Sequence, residues 1–481
     1  MKIYLLIIFV CTSFIAYAES NIIWNPVINI STNTYGNMHP RISLDGLGNP
    51  LIIWGRMSDQ SVYFSRWTGN MFTVPVKLNP SWLTVATASW MGPDISSKGD
   101  TVYVVVKRAP ETDGNNRIFI FTSFNGGISF NTPVELAFIA DSVSRFPTVT
   151  TDSSGNPIVA FMKFNSSFLE SRWVIVKSID YGKTFNIDVK ASGWGNSSEV
   201  CDCCPGAVIS SGNTCALLYR DNNSNIRDCW AGISTDNADI FKSGFALENN
   251  KWSINSCPAS GPDGVIIGDN IYSVFMNGAS GNYRNYLSKS SISTGKIESV
   301  SNLSGTITGL SQQNYPRIAT DGNAIAVVWK QTVSGTAQLP ILFTNNAANG
   351  FTSSSEIVDI SDITNTDVAM SKGNIFVVWQ DDNSGTVKYR SGTYLPSTSV
   401  INQGENNNYS IYPNPAKDFL NIISPENRIF SINVINSLGE IIYSGQSISN
   451  TKIETSKFSK GIYILLLKSQ NHIFTQKFII E

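Results

Sequence analysis

The chain is poor in charge and in cysteine, and beyond its first twenty residues it has no long apolar run. Only 15% of its 481 residues are charged, with 34 Lys and Arg against 36 Asp and Glu, a formal net charge of −2. That balance argues against a nucleic-acid partner and against a polybasic membrane contact. No later stretch approaches the ~20 apolar residues of a membrane-spanning helix, so no transmembrane segment is expected. Histidine is almost absent, and His39 has no suitably framed Ser or Cys nucleophile to suggest a triad. Six of the seven cysteines fall between Cys201 and Cys257.

The N-terminus is the exception to the missing apolar runs. In MKIYLLIIFVCTSFIAYAES, a positive Lys2, an apolar core and the small-x-small Ala16-Tyr17-Ala18 describe a signal peptide over residues 1–18. Cys11 lacks the small residues that precede a lipidated cysteine. The rest of the chain is rich in Ser, Thr, Asn and Gly, with Val, Ile, Tyr, Phe and Trp in short runs, which is the composition of an all-β protein.

One unit recurs seven times. It is seen as HPRISLDGLGNPLIIW (39–54), GPDISSKGDTVYVVV (92–106), FPTVTTDSSGNPIVAF (146–161) and CPGAVISSGNTCALLY (204–219). The series continues with GPDGVIIGDNIYSVF (261–275), YPRIATDGNAIAVVW (315–329) and TDVAMSKGNIFVVW (366–379). The anchors Pro40, Pro93, Pro147, Pro205, Pro262, Pro316 and Asp367 are 51 to 58 residues apart, the period of propeller blades. Each unit reads as four strands, but the seventh has only three. IWNPVINIS (23–31) matches the pattern of the other outer strands and would complete it. The expected fold is a seven-bladed β-propeller over residues 21–395, with a six-bladed propeller as the alternative.

The hairpin between the third and outer strands carries a second signature in four of the units. SIDYGKTF supplies Ser178, Asp180, Gly182, Thr184 and Phe185, and SFNGGISF repeats the frame with Ser123, Asn125 and Gly127. STDNADIF (234–241) and SRWTGNMF (65–72) are weaker echoes. The frame resembles the Asp-box, or BNR repeat, of the sialidase-like propeller superfamily. Its role there is structural: a short acceptor side chain takes backbone N–H groups and Gly supplies φ > 0.

After the polar linker 396–408 come YPNP (412–415), NSLG (436–439), GIY (461–463) and a terminal KFIIE, set among short alternating strands. Residues 409–481 resemble the C-terminal sorting domain of the type IX secretion system, a small β-sandwich. The resemblance implies the type IX machinery as a partner, a bacterium of the Bacteroidetes type, and a product secreted or held at the cell surface.

The start of each innermost propeller strand borders the central funnel. His39, Arg41, Asp94, Arg220, Asp263 and Arg317 are therefore the candidate ligand-binding residues, a set suited to a polar ligand such as a glycan. Sialidases carry an Arg-Ile-Pro motif, an arginine triad, a Tyr–Glu pair and an acid/base Asp. Here Pro40-Arg41-Ile42 recurs as Pro316-Arg317-Ile318 and belongs to the repeat. Arg41, Arg220 and Arg317 could still converge on an anion, but no catalytic residue can be assigned and no cofactor is expected.

Cys201, Cys203, Cys204, Cys215, Cys229 and Cys257 span the fourth unit and the entry to the fifth. Export favours disulfides over a metal site or a reactive thiol. Cys203 and Cys204 should approach Cys257 at the rim. Folding the hairpin about DNNSN sets Cys229 opposite Leu217, which makes Cys215 a diagonal partner. The stretch also looks like a pattern in sialidase-like propellers of unknown function. The functional expectation is a binding protein for glycan or another extracellular polymer. A glycoside hydrolase and a structural or adhesion module are the alternatives.

Overall fold

The computed structural model describes residues 22–32, 35–111, 117–136, 142–165, 167, 169–195, 199–351, 354–394, 409–424, 430–436, 440–468 and 473–481. The expected signal peptide, the linker and residues 437–439 of the NSLG motif lie outside them. The chain divides into two compact units, Met1–Ser397 and Thr398–Glu481.

Among the described residues the first unit holds seven antiparallel sheets, six of four strands and one of five. Their leading strands are Asn37–Leu44, Asp94–Lys98, Ser142–Thr151, Ala207–Ser211, Asp263–Ile267, Leu310–Asp321 and Ile363–Ser371. Each packs beside the next, and the seventh packs beside the first, so the sheets close into the ring of a β-propeller. The second strands, such as Thr101–Lys107 and Asn374–Asp381, are near-continuous apolar runs because both of their faces are buried.

The core is distributed around the ring. Each junction between neighbouring sheets has its own hydrophobic cluster. Ile53, Val62, Val102 and Val104 fill the first, and Val159, Phe161, Tyr103 and Val105 fill the second. Trp54, Ile42, Val378 and Tyr389 seal the junction of the seventh sheet with the first. Burying one such side chain contributes about 1.5–3 kcal/mol.

The seventh sheet takes its outer strands from the other end of the unit. Ile22–Trp24 pairs with Gly392–Tyr394, and Ile28 and Asn29 pair with Tyr389 and Lys388. The pairing covers a sheet edge that would otherwise be open.

Three hairpin turns share one hydrogen-bond pattern. Ser178 Oγ donates to Asp180 Oδ1 and accepts the Gly182 N–H, while Asp180 Oδ1 accepts the Thr184 N–H. Ser123, Asn125 and Gly127 repeat the arrangement, as do Ser234, Asp236 and Ala238. Those bonds hold the Asp180 carboxyl down at about 2. Phe185 leans on the core between the second and third sheets. The echo at 65–72 folds differently. Trp67 stands where the acceptor should be, and Ser65 Oγ donates to the Thr73 carbonyl instead.

The second unit is two sheets over one core. Ser410–Tyr412, Phe419–Ile423 and Thr451–Glu454 form one, and four strands from Phe430–Asn436 to Ile473–Ile480 form the other. Leu420, Ile432, Val434, Leu465 and Phe478 lie between them, fully buried. This is the small sandwich expected from the tail.

Candidate functional site

At the mouth of the ring the chain enters four of the seven leading strands through an irregularity. Bulges occur between Met38 and Arg41, Arg145 and Thr148, Asn314 and Arg317, and Ile363 and Thr366. Three residues at these bulges, His39, Phe146 and Tyr315, have φ of 56°, 52° and 52° and each precedes a proline. Left-handed backbone at bulky residues costs of the order of 1–3 kcal/mol each and concentrates at ligand sites. All three side chains line one cleft, with Trp90, Ser89, Asn365 and Arg41. The cleft has about 60 Å³ of space for water, room for one small polar group and not for a length of polymer.

Beneath it lies a set of charges built on the residue after four of the anchor prolines, Arg41, Asp94, Asp263 and Arg317, together with Asp367. Asp94 Oδ2 accepts the Val149 N–H at 3.0 Å, Asp263 Oδ2 accepts Ile318 at 3.0 Å, and Asp367 Oδ2 accepts Ile42 at 3.0 Å. Each aspartate thereby pins its own sheet to the next. Arg317 Nε lies 3.0 Å from Asp367 and 3.4 Å from Asp263. Arg41 sits 4.0 Å from Asp94 and donates from Nη2 to His39 Nε2 at 2.8 Å and from Nη1 to the Pro40 carbonyl.

Burial, helped by Arg41 and Arg317, holds His39 well below the ordinary imidazole value, so the ring is neutral and accepts from Arg41. Burial and then Arg317 push Arg41 down to about 10. Burial opposes the charge of Arg317 as well, but Asp263, Asp367 and Asp94 outweigh it and hold that guanidinium above its usual value. Burial raises the Asp263 carboxyl against the pull of Arg317. Gly92 is required beneath the site, because a Cβ there would stand 2.6 Å from the His39 ring.

His39, Arg41, Asp94 and Arg317 thus meet at one cleft, and Asp263 lies behind Arg317 without lining it. Arg220 does not join them. It is fully buried between the fourth and fifth sheets, with its guanidinium given to the carbonyls of Ser260, Arg227 and Met276. Its place at the end of the second strand, not the start of the first, accounts for the difference. Of the other residues that line the cleft, Phe146 and Tyr315 stand at expected mouth positions, and Trp90 and Asn365 carry no such mark in the sequence. Phe146 and Tyr315 each directly precede an anchor proline, and that position is what marks them in the sequence.

The cysteines also divide differently. Cys203 and Cys257 are bonded, with a Cα–Cα distance of 6.1 Å, and Cys201, Cys204, Cys215 and Cys229 are free thiols. Cys215 stands opposite Ser234, and Cys229 opposite Arg220. The hairpin turns at Ser224 and Asn225, both at positive φ, one to two residues beyond the centre of DNNSN, and so the register moves. Cys215 and Cys229 then face opposite sides of their sheet. Residues 202 and 203 form a turn, not an extended segment, and this gathers the sulfurs of Cys201, Cys203 and Cys204 within 4.8 Å.

Residues 410–481 match the secretion system C-terminal sorting domain. The chain therefore carries a type IX export signal and is destined for the cell surface or beyond. No helix among the described residues is long and apolar enough to cross a membrane. No curated protein matches the chain in sequence.

Among solved structures it is similar to a protein of unknown function from Dyadobacter fermentans, at 9% identity and TM-score 0.49 over 78% of this chain and 100% of that one. It is similar to the Hadza microbial sialidase Hz136 at 10% identity and TM-score 0.45, over 75% and 66% of the two chains. A polysaccharide lyase, an ulvan lyase, matches at 9% identity and TM-score 0.47, over 77% and 93%. All three TM-scores lie below 0.5, too low for anything known of those proteins to be carried over.

Proposed function

We propose that this is an exported binding protein whose ring mouth takes the end of an extracellular polymer, most simply the terminal sugar of a glycan. The observation that carries the reading is the pair Trp90 and Tyr315, partly exposed at the cleft beside the polar groups of Arg41, Ser89 and Asn365, with Phe146 buried behind Trp90. Aromatic faces stack against the C–H faces of a sugar while fixed polar groups take its hydroxyls. The floor has room for one small polar group, so it takes a single substituent of that sugar while the ring itself lies at the mouth.

Binding is favoured over cleavage by the fate of the carboxylates. Glycoside cleavage commonly needs one carboxyl as acid and another as base or nucleophile. Asp94, Asp263 and Asp367 each hold a neighbouring sheet through a backbone N–H. Among the described residues no glutamate lines the cleft.

The test is a panel of oligosaccharides, sialosides included, measured for heat of binding and for release of new reducing ends. Saturable binding without turnover is expected. Sustained turnover abolished by Arg41→Ala would replace this reading with the hydrolase. A blank in both measurements would replace it with a structural or adhesion module.

A further inference from the structure

Behind the cleft wall lies a group of cysteines that sugar binding does not use. Cys201 and Cys204 are buried free thiols with sulfurs 2.9 Å apart. Cys201 Sγ is 3.6 Å from Cys203 Sγ, which is bonded to Cys257. Burial grades outward through the cluster. Cys201 and Cys204 are inaccessible, Cys203 is half-buried and Cys257 is exposed. Arg227 Nη1 points at the two middle sulfurs, 3.0 Å from Cys201 and 3.8 Å from Cys203.

We propose that Cys201 and Cys204 are a redox pair that exchanges with Cys203–Cys257, so that one disulfide moves between an exposed link joining two sheets and a buried link within one turn. The chemistry balances without an outside oxidant. The Cys201 thiolate attacks Cys203 Sγ, the Cys203–Cys257 bond breaks, and Cys257 leaves as a thiolate and takes a proton. The Cys204 thiolate then attacks Cys201 Sγ, the inner bond forms, and Cys203 leaves and is protonated. Two protons pass from the inner pair to the outer pair, and the number of disulfides is unchanged.

Two further features fit. Cys201 and Cys204 have C-x-x-C spacing, which puts both sulfurs of a dithiol within bonding reach. The Cys201 thiol is held down at about 7, first by its hydrogen bond with Cys204 and then by Arg227 and Arg220, so it supplies the attacking thiolate near neutral pH. Burial raises Cys204, so it stays a thiol while Cys201 makes the first attack, and it gives up its proton to the departing Cys203 sulfur in the second step.

The exchange has a structural consequence. Pro205 and Gly206 on one side, and Ser260, Gly261 and Pro262 on the other, line the cleft a few residues from the outer disulfide. With the bond at Cys203–Cys257 these two walls are cross-linked; with the bond at Cys201–Cys204 they are not. An external thiol attacking exposed Cys257 would also unlink the two walls, leaving a mixed disulfide on Cys257 with Cys203 as the departing thiol.

The full chain is purified without reductant, brought with limiting dithiothreitol to one disulfide in the cluster, held without oxygen, quenched in acid and mapped by alkylation and peptide mass. A population with Cys201–Cys204 bonded and Cys203 and Cys257 labelled is expected. Arg227→Gln should slow its appearance about fivefold at pH 7, the loss in thiolate fraction for a one-unit rise in the attacking thiol. Cys203–Cys257 in every molecule overturns the proposal, and so does one zinc or copper released per chain. Cys257→Ser tests it separately. With oxidised glutathione this variant should close Cys201–Cys204 and leave Cys203 labelled or glutathionylated, whereas three unpaired cysteines would contradict the exchange.

Discussion

Asp367 ties the last sheet of the ring to the first through the backbone N–H of Ile42, at 3.0 Å, and holds Arg317 with its other oxygen. Asp367→Ala would orphan a buried N–H and leave Arg317 with Asp263 as its near partner. A loss of about 2–4 kcal/mol is expected in chemical denaturation. Asp367→Asn keeps an acceptor and should lose less. An alanine variant as stable as the parent would contradict the pin.

Ring closure by the N-terminal segment separates two adjacent isoleucines. Ile22 is 2% exposed in the core shared by the sixth and seventh sheets, and Ile23 is 75% exposed. Ile22→Ala should cost about 2–5 kcal/mol, the range for emptying a buried aliphatic site. Ile23→Ala should stay within about 0.5 kcal/mol. Thermal melts of both variants check this, and equal effects would show that the segment does not close the ring.

The ring was legible in the sequence because each blade repeats one pattern under one set of constraints. An anchor proline, a Gly/Asn/Asp turn and a doubly buried apolar strand must recur wherever the next sheet packs. The incomplete seventh unit even pointed to its missing strand at 23–31. The cleft was less legible. Arg41 and Arg317 were found because the repeat marks their position. Trp90 and Asn365 lie outside the repeat and reach the cleft only through folding. Arg220 was misplaced because a charged residue near a strand end reads alike whether it faces a mouth or caps a junction. The pairing of Cys215 with Cys229 failed on the turn, since Asn-rich DNNSNIRD offers several centres and only backbone conformation selects Ser224-Asn225.

Glu248 gives stability a pH dependence. Burial, opposed by nearby Arg220, raises its carboxyl from 4.5 to about 7. The unfolded chain releases that proton first, so the folded state binds more protons between those values. Stability therefore falls as pH rises from about 4.5 to about 7 and levels off above. Glu248→Gln mimics the protonated form. The parent should lose more melting temperature between pH 5 and pH 8 than this variant does. Parallel curves would show that Glu248 is already ionised at pH 5 in the folded chain.

The exposed and buried cysteines should also react differently. In the folded chain under non-reducing conditions, Cys215 and Cys229, 1% and 0% exposed, should resist alkylation over hours. Denaturation should make both reactive at once. Rapid labelling of either in the native protein would contradict their place inside the fourth sheet.

The most direct test of the account is an oligosaccharide array probed with the full chain and with Tyr315→Ala, using Trp82→Ala as a control. Trp82 is a half-exposed tryptophan that does not line the cleft. The account expects saturable binding to glycans sharing one terminal sugar, lost at least tenfold in Tyr315→Ala and kept in Trp82→Ala. Binding that survives Tyr315→Ala unchanged, or no binding across the array, would contradict it.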